Sequence, residues 1–402
     1  MSEHEWNRRE FMVKPILWAG AASVIGKANS LWASPIIEKT NPILQRTLGK
    51  TGITLPVVSM GVMNADIPGL LRRAYELGIR HFDTAAGYQR GRNEEMVGNV
   101  IKELGVRHQV VISTKQPSHN GPRNPAQAKQ HFIEGVESSL KRLQMDHVDI
   151  LYHHAVDSVE DARAEGPLEA LQSLKKDGKT RFLGISTHKT VAVLSEAMGM
   201  NVFDVALVML NYTMAQDAAL LDTIERAANS GMGIVAMKTQ AGGTVKPDPK
   251  LPKELPAASQ TALLKWALNH EFVTTAIPGF STYEHLEQDF SVARNLAYTY
   301  EEERFLADKS FTAQAEFCQQ CGKCRKDCPK QVDIPVLMRS HMYAVQYRNR
   351  GMAQATLATV APDHGLDACG GCQSCSVTCR NTVRIARKIA ELKVLAAGQL
   401  LS

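Results

Sequence analysis

The cysteines constrain this chain more than any other feature of its 402-residue sequence. All eight lie beyond residue 317, and they form two runs with the same steps of three, three and four residues. The runs comprise Cys318, Cys321, Cys324 and Cys328, and then Cys369, Cys372, Cys375 and Cys379. Cysteines spaced this closely indicate a loop whose thiols all bind one common group.

This spacing is the one that holds [4Fe–4S] clusters, and Pro329 closes the first run as it does in bacterial ferredoxins. Zinc sites also use closely spaced cysteines, and exported chains with an even cysteine count often form disulfides. Three cysteines at steps of three residues, followed by a fourth at a step of four, favour an iron–sulfur cluster over a zinc site or disulfides. We expect two clusters that exchange their fourth ligands, held by Cys318, Cys321, Cys324 and Cys379, and by Cys369, Cys372, Cys375 and Cys328.

The residues between the two runs have a helical pattern. We therefore predict a small, mainly α-helical ferredoxin-like iron–sulfur domain over residues 311–402. Arg380, rather than proline, follows the second run.

The N-terminus has the features of an export signal. Arg8 and Arg9 precede an uncharged, mostly apolar run over residues 15–26, followed by small residues. The run is too short to span a bilayer but suits a signal peptide, and paired arginines indicate the Tat route. Because iron–sulfur clusters are built in the cytoplasm, the protein would have to fold around them before its export. We predict a Tat-type signal over residues 1–33, contact with the Tat machinery and a periplasmic or extracytoplasmic location, without a transmembrane segment after processing. The alternative is an ordinary basic N-terminus on a cytoplasmic protein.

Charge adds a smaller constraint. The formal net charge is +5, and no basic stripe is interleaved with aromatic residues, so we expect no nucleic-acid partner.

The middle of the chain alternates apolar strand-like runs with amphipathic helical stretches. This pattern is typical of a parallel sheet, and eight such units fit a (β/α)8 TIM barrel, which we place at residues 44–310. The strands are predicted at 57–63, 79–85, 109–115, 147–154, 180–186, 203–210, 233–239 and 273–279. Residues 44–56 should form a hairpin that plugs the bottom of the barrel.

Polar residues follow several of these strands, at the end where such barrels keep their active sites. Asp83 and Tyr88 follow the second strand, Lys115 ends the third and His154 ends the fourth. A tyrosine is a weak acid at neutral pH, and a nearby ammonium such as Lys115 lowers its pKa. Asp83 could hold Lys115, and His154 could orient a substrate oxygen, which together make a tuned general acid. His153 should point to the other side of its strand and pack there.

This Asp-Tyr-Lys-His pattern, together with the segments LGIST, GIVAMKT and IPGFST, resembles the aldo/keto reductase family over residues 44–310. The resemblance implies catalytic roles for Asp83, Tyr88, Lys115 and His154 and a nicotinamide cofactor, NAD(P). Hydrogen bonds to that cofactor are expected from Ser186, Thr187, Asn211, Lys238, Gly279 and Ser281. The usual stacking aromatic is matched by Met237, and basic residues that often grip a 2′-phosphate are missing after Gly279, which should weaken NADP more than NAD.

These features predict an exported oxidoreductase that interconverts a carbonyl and an alcohol on a small, sugar-like molecule. Its clusters would relay electrons to a redox partner protein. The alternative is an electron-transfer subunit whose barrel no longer turns over.

Overall fold

We describe residues 41–118, 121–241, 257–308, 316–372 and 374–397 of a computed structural model. The predicted export signal and the predicted domain boundary at residues 310–311 lie outside these ranges. In the described residues, no helix is both long and apolar enough to cross a membrane.

The chain enters the barrel through an antiparallel hairpin, as predicted. Strands β1 (Gln45–Thr47) and β2 (Thr54–Pro56) pair with each other. Leu48 and Leu55 are fully buried and pack inside the barrel against Tyr152 and Val205. A Cβ on Gly49 would lie 2.4 Å from both the Gly231 carbonyl oxygen and the Gly233 amide nitrogen at the start of β9, so a side chain would not fit there. The hairpin thus closes the barrel at the amino ends of its strands.

Eight parallel strands follow, and the predicted TIM barrel is confirmed. In sheet order they run from β3 to β10, each hydrogen-bonded to the next in sequence. Isolated bridges from Val58 to Ala276 and from Gly61 to Gly279 join the first strand to the last. The strands are Met60–Gly61 (β3), His81–Asp83 (β4), Val111–Pro117 (β5), Val148–His154 (β6), Thr180–Thr187 (β7), Val205–Met209 (β8), Gly233–Met237 (β9) and Thr275–Ala276 (β10).

Helices cover the outside of the barrel. Helix α3 begins where the Asn124 side chain accepts a hydrogen bond from the Gln127 amide, which satisfies a free helix-end N–H group. The helices are Pro68–Leu77 (α1), Arg92–Leu104 (α2), Pro125–Leu143 (α3), Val159–Ala162 (α4), Glu165–Lys176 (α5), Thr190–Met200 (α6), Ala218–Asn229 (α7), Ala257–Leu268 (α8), Tyr283–Ser291 (α9) and Tyr300–Ala307 (α10).

The C-terminal region is mainly helical, as its sequence predicts. It contains α11 (Ile334–His341), which runs directly into a π-helical turn (Met342–Gln346), then α12 (Arg350–Leu357) and α13 (Ile385–Ala397). Its small apolar core includes Leu337 and Leu392, with several cysteines packed against it. This region, hereafter the cluster domain, lies on the carboxyl ends of the barrel strands.

Candidate active site

Three of the predicted catalytic residues meet at the carboxyl ends of β4 and β5. The ammonium Nζ of Lys115 lies 2.5 Å from Oδ1 of Asp83, 2.6 Å from the carbonyl oxygen of Thr84 and 3.4 Å from the hydroxyl of Tyr88. Lys115 and Asp83 are each 1% exposed. Burial lowers the pKa of Lys115, and Asp83 opposes that effect. The pair therefore holds a cation beside the tyrosine hydroxyl.

A second layer of hydrogen bonds supports this pair from inside the barrel. The Ser113 hydroxyl donates to Oδ2 of Asp83 at 2.7 Å, and Nε2 of His81 lies 2.9 Å from the same hydroxyl. His81 and Asp83 share a face of β4 because side chains alternate along a strand. Asp83 is thus fixed on one oxygen by Ser113 and on the other by Lys115.

The Tyr88 hydroxyl is a neutral acid in this environment. Burial raises the pKa of Tyr88 well above its ordinary value, and Asp83, Tyr343 and Tyr347 raise it further. The lowering by Lys115 that the sequence predicts stays a prediction, and in the structure the net shift is upward because burial dominates. A neutral phenol is nevertheless the form that donates a proton to a carbonyl oxygen.

The two histidines at the end of β6 face different surroundings. His154 contacts Tyr88, ring edge to ring face, with centroids 6.1 Å apart. His153 is fully buried, lies 2.7 Å through Nε2 from the Ser118 hydroxyl and packs against Phe132. As expected from strand alternation, His154 is the histidine beside the tyrosine and His153 is a packed one.

The cluster domain forms a roof over this site. Tyr343 and Tyr347 come from the π-helical turn and the residue after it, with ring centroids 5.7 Å apart. Both are near enough to Tyr88 to affect its pKa. Helix α12 packs against the 3₁₀ turn that begins at Tyr88, and Nδ2 of Asn349 donates to Oδ1 of Asn64 at 3.1 Å. The surroundings of Tyr88 are therefore built from both parts of the chain.

A buried polar network ties the roof to the loops after β6, β7 and β9. Arg339 of α11 donates to Oδ2 of Asp157 at 2.8 Å, and Nδ1 of His188 lies 3.3 Å from the other Asp157 oxygen. Burial would raise the pKa of Asp157, but Arg339 and His188 hold it well below its usual range. Nε2 of His188 in turn lies 3.3 Å from Nζ of Lys238, which sits 5.4 Å from the centre of the Tyr343 ring.

This network lies among the predicted cofactor residues, because Lys238 belongs to it and His188 follows Thr187. Met209, His188 and Lys238 of the barrel line a small cavity together with Arg339 and Met342 of the cluster domain. The barrel and the cluster domain therefore pack closely against each other at these loops.

The six predicted cofactor residues divide into two groups. Ser186 accepts from the Ala155 amide, Thr187 from the Lys189 amide and Asn211 from the Thr213 amide, so their side-chain oxygens are engaged within the barrel. The Asn211 amide nitrogen is buried without a hydrogen-bond partner among the described residues. The second group comprises Lys238, described above, together with Gly279 and Ser281, which are exposed at the rim of the barrel.

One set of four cysteines lines a cavity in the cluster domain. Cys328, Cys369, Cys372 and Cys375, which we call the distal set, surround a space of about 350 Å³. Burial raises the pKa of Cys369, and the thiols of the other three raise it further. Cys328 of the first run thus joins three cysteines of the second.

The remaining four cysteines, the proximal set, lie nearer to the barrel. Burial raises the pKa of Cys318 to about 12, and neighbouring Cys324, Cys321 and Cys379 raise it further. Cys318 also lines the small cavity that contains Lys238 and His188. Within the described residues no three His, Cys, Asp or Glu side chains are placed to hold a single metal ion. Both sets fit a multi-iron cluster, with the fourth ligand exchanged between runs.

Sequence reasoning did not identify the residues that join the two parts of the chain. Tyr343, Tyr347, Arg339 and Asp157 carry no motif that marks a site. The spacing of the two tyrosines, four apart on a helical stretch, is the one signal that could have shown a shared aromatic face.

Comparison with known proteins agrees with both parts of this architecture. Residues 63–255 match the model of the aldo/keto reductase family, and residues 317–384 match that of a 4Fe–4S dicluster domain. The fold of the holo form of an aldo-keto reductase from Bacillus halodurans is similar, with a TM-score of 0.55, 23% identity and coverage of 66% of this chain and 95% of that one.

Characterised relatives align with the barrel over most of their length. An L-glyceraldehyde 3-phosphate reductase of Escherichia coli strain K12 is 28% identical over 66% of this chain and 92% of its own. An L-galactose dehydrogenase of Arabidopsis thaliana is 27% identical over 62% of this chain and 88% of its own. The protein is therefore an oxidoreductase in which an aldo/keto reductase domain is joined to a 4Fe–4S dicluster domain.

Proposed function

We propose that the protein interconverts a carbonyl and an alcohol on a small molecule bound at the mouth of the barrel. The observation that carries this proposal is the buried chain from Asp83 through Lys115 to the Tyr88 hydroxyl, with His154 at the edge of the same ring. The Tyr88 hydroxyl is the group in this chain that would give its proton to a substrate carbonyl.

In the direction of reduction, a hydride adds to the carbonyl carbon while the Tyr88 hydroxyl transfers its proton to the carbonyl oxygen. Lys115 stabilises the phenolate that remains, because an opposite charge nearby favours the ionised form. His154 orients the substrate oxygen by hydrogen bonding. In oxidation the phenolate takes the proton back. NAD(P), which the family resemblance implies, would supply or accept this hydride when bound.

Two relatives support a sugar-like substrate. One is named for L-galactose and the other for L-glyceraldehyde 3-phosphate, both small polar carbonyl compounds. The roof adds phenolic groups from Tyr343 and Tyr347 to the mouth of the barrel. Such groups suit a substrate that carries several hydroxyls, because phenols both donate and accept hydrogen bonds.

The proposal includes two [4Fe–4S] clusters, one in each cysteine set, and export by the Tat route. When bound, such clusters supply one-electron transfer. The proximal set shares a cavity with barrel residues, which supports a route between the barrel and an external redox partner.

The substitution Tyr88→Phe tests the chemistry. Turnover of sugar aldehydes, followed as NAD(P)H oxidation, should fall by about 10²–10⁴-fold because the proton donor is lost. The cluster absorbance should stay unchanged, and the exposed Tyr300→Phe is the matched control. Wild-type turnover in the Tyr88 variant would refute the assigned role.

The close packing of the cluster domain against His188 and Lys238 favours a second candidate function, an iron–sulfur electron-transfer subunit whose barrel no longer binds nucleotide. Equilibrium binding of NAD(H) and NADP(H) to the anaerobically purified full chain separates the two. Binding of either nucleotide supports the reductase. Absence of binding by a protein with full iron content supports the subunit.

A further inference from the structure

Among the described residues, each cysteine set has a lysine that donates to its binding loop, and the two lysines come from different parts of the chain. Nζ of Lys189 lies 2.7 Å from the carbonyl oxygen of Gln320, between two cysteines of the proximal set. Nζ of Lys393 lies 2.7 Å from the carbonyl oxygen of Cys369 in the distal set. Both lysines are half-buried. The two contacts are therefore matched in atom type, length and exposure.

Lys189 belongs to the barrel. It follows β7 by two residues and precedes α6, so it lies next to His188 in the loop that follows Ser186 and Thr187 at the end of that strand. Its Nζ is hydrogen-bonded to the carbonyl oxygen of Gln320. A barrel cation thus lies against the binding loop of the proximal set.

Gln320, the residue that Lys189 contacts, makes hydrogen bonds through both the oxygen and the nitrogen of its side-chain amide. Its side chain accepts from Arg339 at 3.3 Å and donates to the carbonyl oxygen of Pro335 at 2.9 Å. It is 3% exposed and has a left-handed backbone conformation with a φ of 57°. The position of Lys189 relative to the loop is therefore fixed by packing rather than by a flexible surface contact.

Lys393 gives the distal set a cation from inside the cluster domain. It lies on α13, and its ammonium lowers the pKa of Cys369 against the raising effect of burial. Because α13 is part of the cluster domain itself, this contact does not involve the barrel.

The potential of an iron–sulfur cluster depends on local charge and hydrogen bonding. Reduction adds negative charge, so a nearby cation stabilises the reduced form and raises the potential. We propose that Lys189 of the barrel sets the reduction potential of the cluster held by Cys318, Cys321, Cys324 and Cys379, separately from the distal cluster. The inference rests on the proposed pair of clusters.

A coupling between the two parts of the molecule follows. A ligand that moves the loop after β7 displaces Lys189 and changes the potential of the proximal cluster. By reciprocity, the oxidation state of that cluster changes the affinity for the ligand by the same free energy.

Redox titration of the full chain, monitored by electron paramagnetic resonance, tests the inference. Lys189→Met should shift one midpoint potential to a lower value and leave the other in place. Lys393→Met should lower the other midpoint alone, and Lys189→Arg should restore the wild-type value because it keeps the charge. Cys321→Ser, which alters the proximal cluster's spectrum, assigns the signals.

Iron and sulfide content are measured first for every variant. Full content with both midpoints unmoved in Lys189→Met, or with both moved equally, overturns the role of Lys189 while leaving the proposed clusters intact. Absence of iron from the wild-type protein purified without oxygen overturns the proposed clusters and the inference together.

Discussion

Among single residues, His81 shows most clearly how burial alters chemistry inside the barrel. It is fully buried beside Ser113, and Asp83, Lys115 and Asp149 are the charged groups around it. Burial lowers the pKa of His81 to about 4, Lys115 lowers it too, and the two aspartates oppose this. Between about pH 4 and pH 6.5 the ring is therefore neutral in the folded protein and protonated in the unfolded chain.

This shift predicts acid sensitivity over a defined window. Between about pH 6.5 and pH 4 the unfolded state binds the extra proton, so stability falls as the pH falls, by up to about 1.4 kcal/mol per unit. His81→Gln should reduce that slope by about the same amount. Anaerobic denaturant unfolding at several pH values measures the difference, with exposed His108→Gln as the control. If the stability of wild type and His81→Gln depended on pH in the same way, His81 would not be the origin of the acid sensitivity.

The barrel site could be predicted residue by residue because strand ends locate side chains. Asp83, Tyr88, Lys115 and His154 all fall at carboxyl ends of parallel strands, which meet at one face. Tyr343 and Arg339 could not be predicted in the same way. Their position depends on how the cluster domain packs against the barrel, and no local pattern reports that packing.

At the level of elements, the contact between α2 and α3 depends on one glycine. A Cβ on Gly98 would lie 2.4 Å from the backbone carbonyl oxygen of Leu143. Backbone cannot give way as a flexible side chain can, so the two helices would have to separate.

Gly98→Ala should therefore destabilise the protein by about 1–3 kcal/mol, although alanine is the better helix former. Gly199 in α6 is the matched control, because a Cβ there would meet no atom within 4 Å. Gly199→Ala should stabilise by up to about 1 kcal/mol. Thermal unfolding of both variants checks the opposite signs, and equal effects would contradict this packing argument.

Strand existence was easier to predict than strand length. The first and last barrel strands are predicted with seven residues each, yet β3 and β10 have two. These two strands close the barrel through isolated bridges rather than a continuous ladder. The apolar pattern of a sequence shows which residues are buried, and here burial extends over the whole run. It does not show which residues make the backbone hydrogen bonds that define a strand.

At the level of the whole molecule, the ion pair between Asp157 and Arg339 joins barrel to cluster domain. Arg339 is 7% exposed and Asp157 21%. Removal of one partner leaves the other charge without compensation in a largely dry interface.

Asp157→Asn or Arg339→Met should each cost about 3 kcal/mol, and the double variant less than their sum. Lys129→Met, which breaks an exposed pair with Glu169, should cost at most about 1 kcal/mol. Denaturant unfolding under anaerobic conditions provides all four values. Strict additivity of the two interface variants would show that the pair is not coupled.

The proposed export concerns the molecule as a whole, and it has its own test. A reporter fused to residues 1–45 should leave the cytoplasm, and changing both Arg8 and Arg9 to Lys should abolish that transport, because the Tat route reads the pair. Cell fractionation measures it. Undiminished transport after the double change would eliminate the Tat assignment.

The phenolic roof supplied by Tyr343 and Tyr347 has a consequence for the life of the protein in the cell. Cysteines of both sets pack against the core of the domain that carries this roof. A copy starved of iron, or one whose proposed cubanes oxygen had destroyed, would lose that support and with it the upper wall of the proposed substrate pocket. Catalytic competence would then be tied to metal supply.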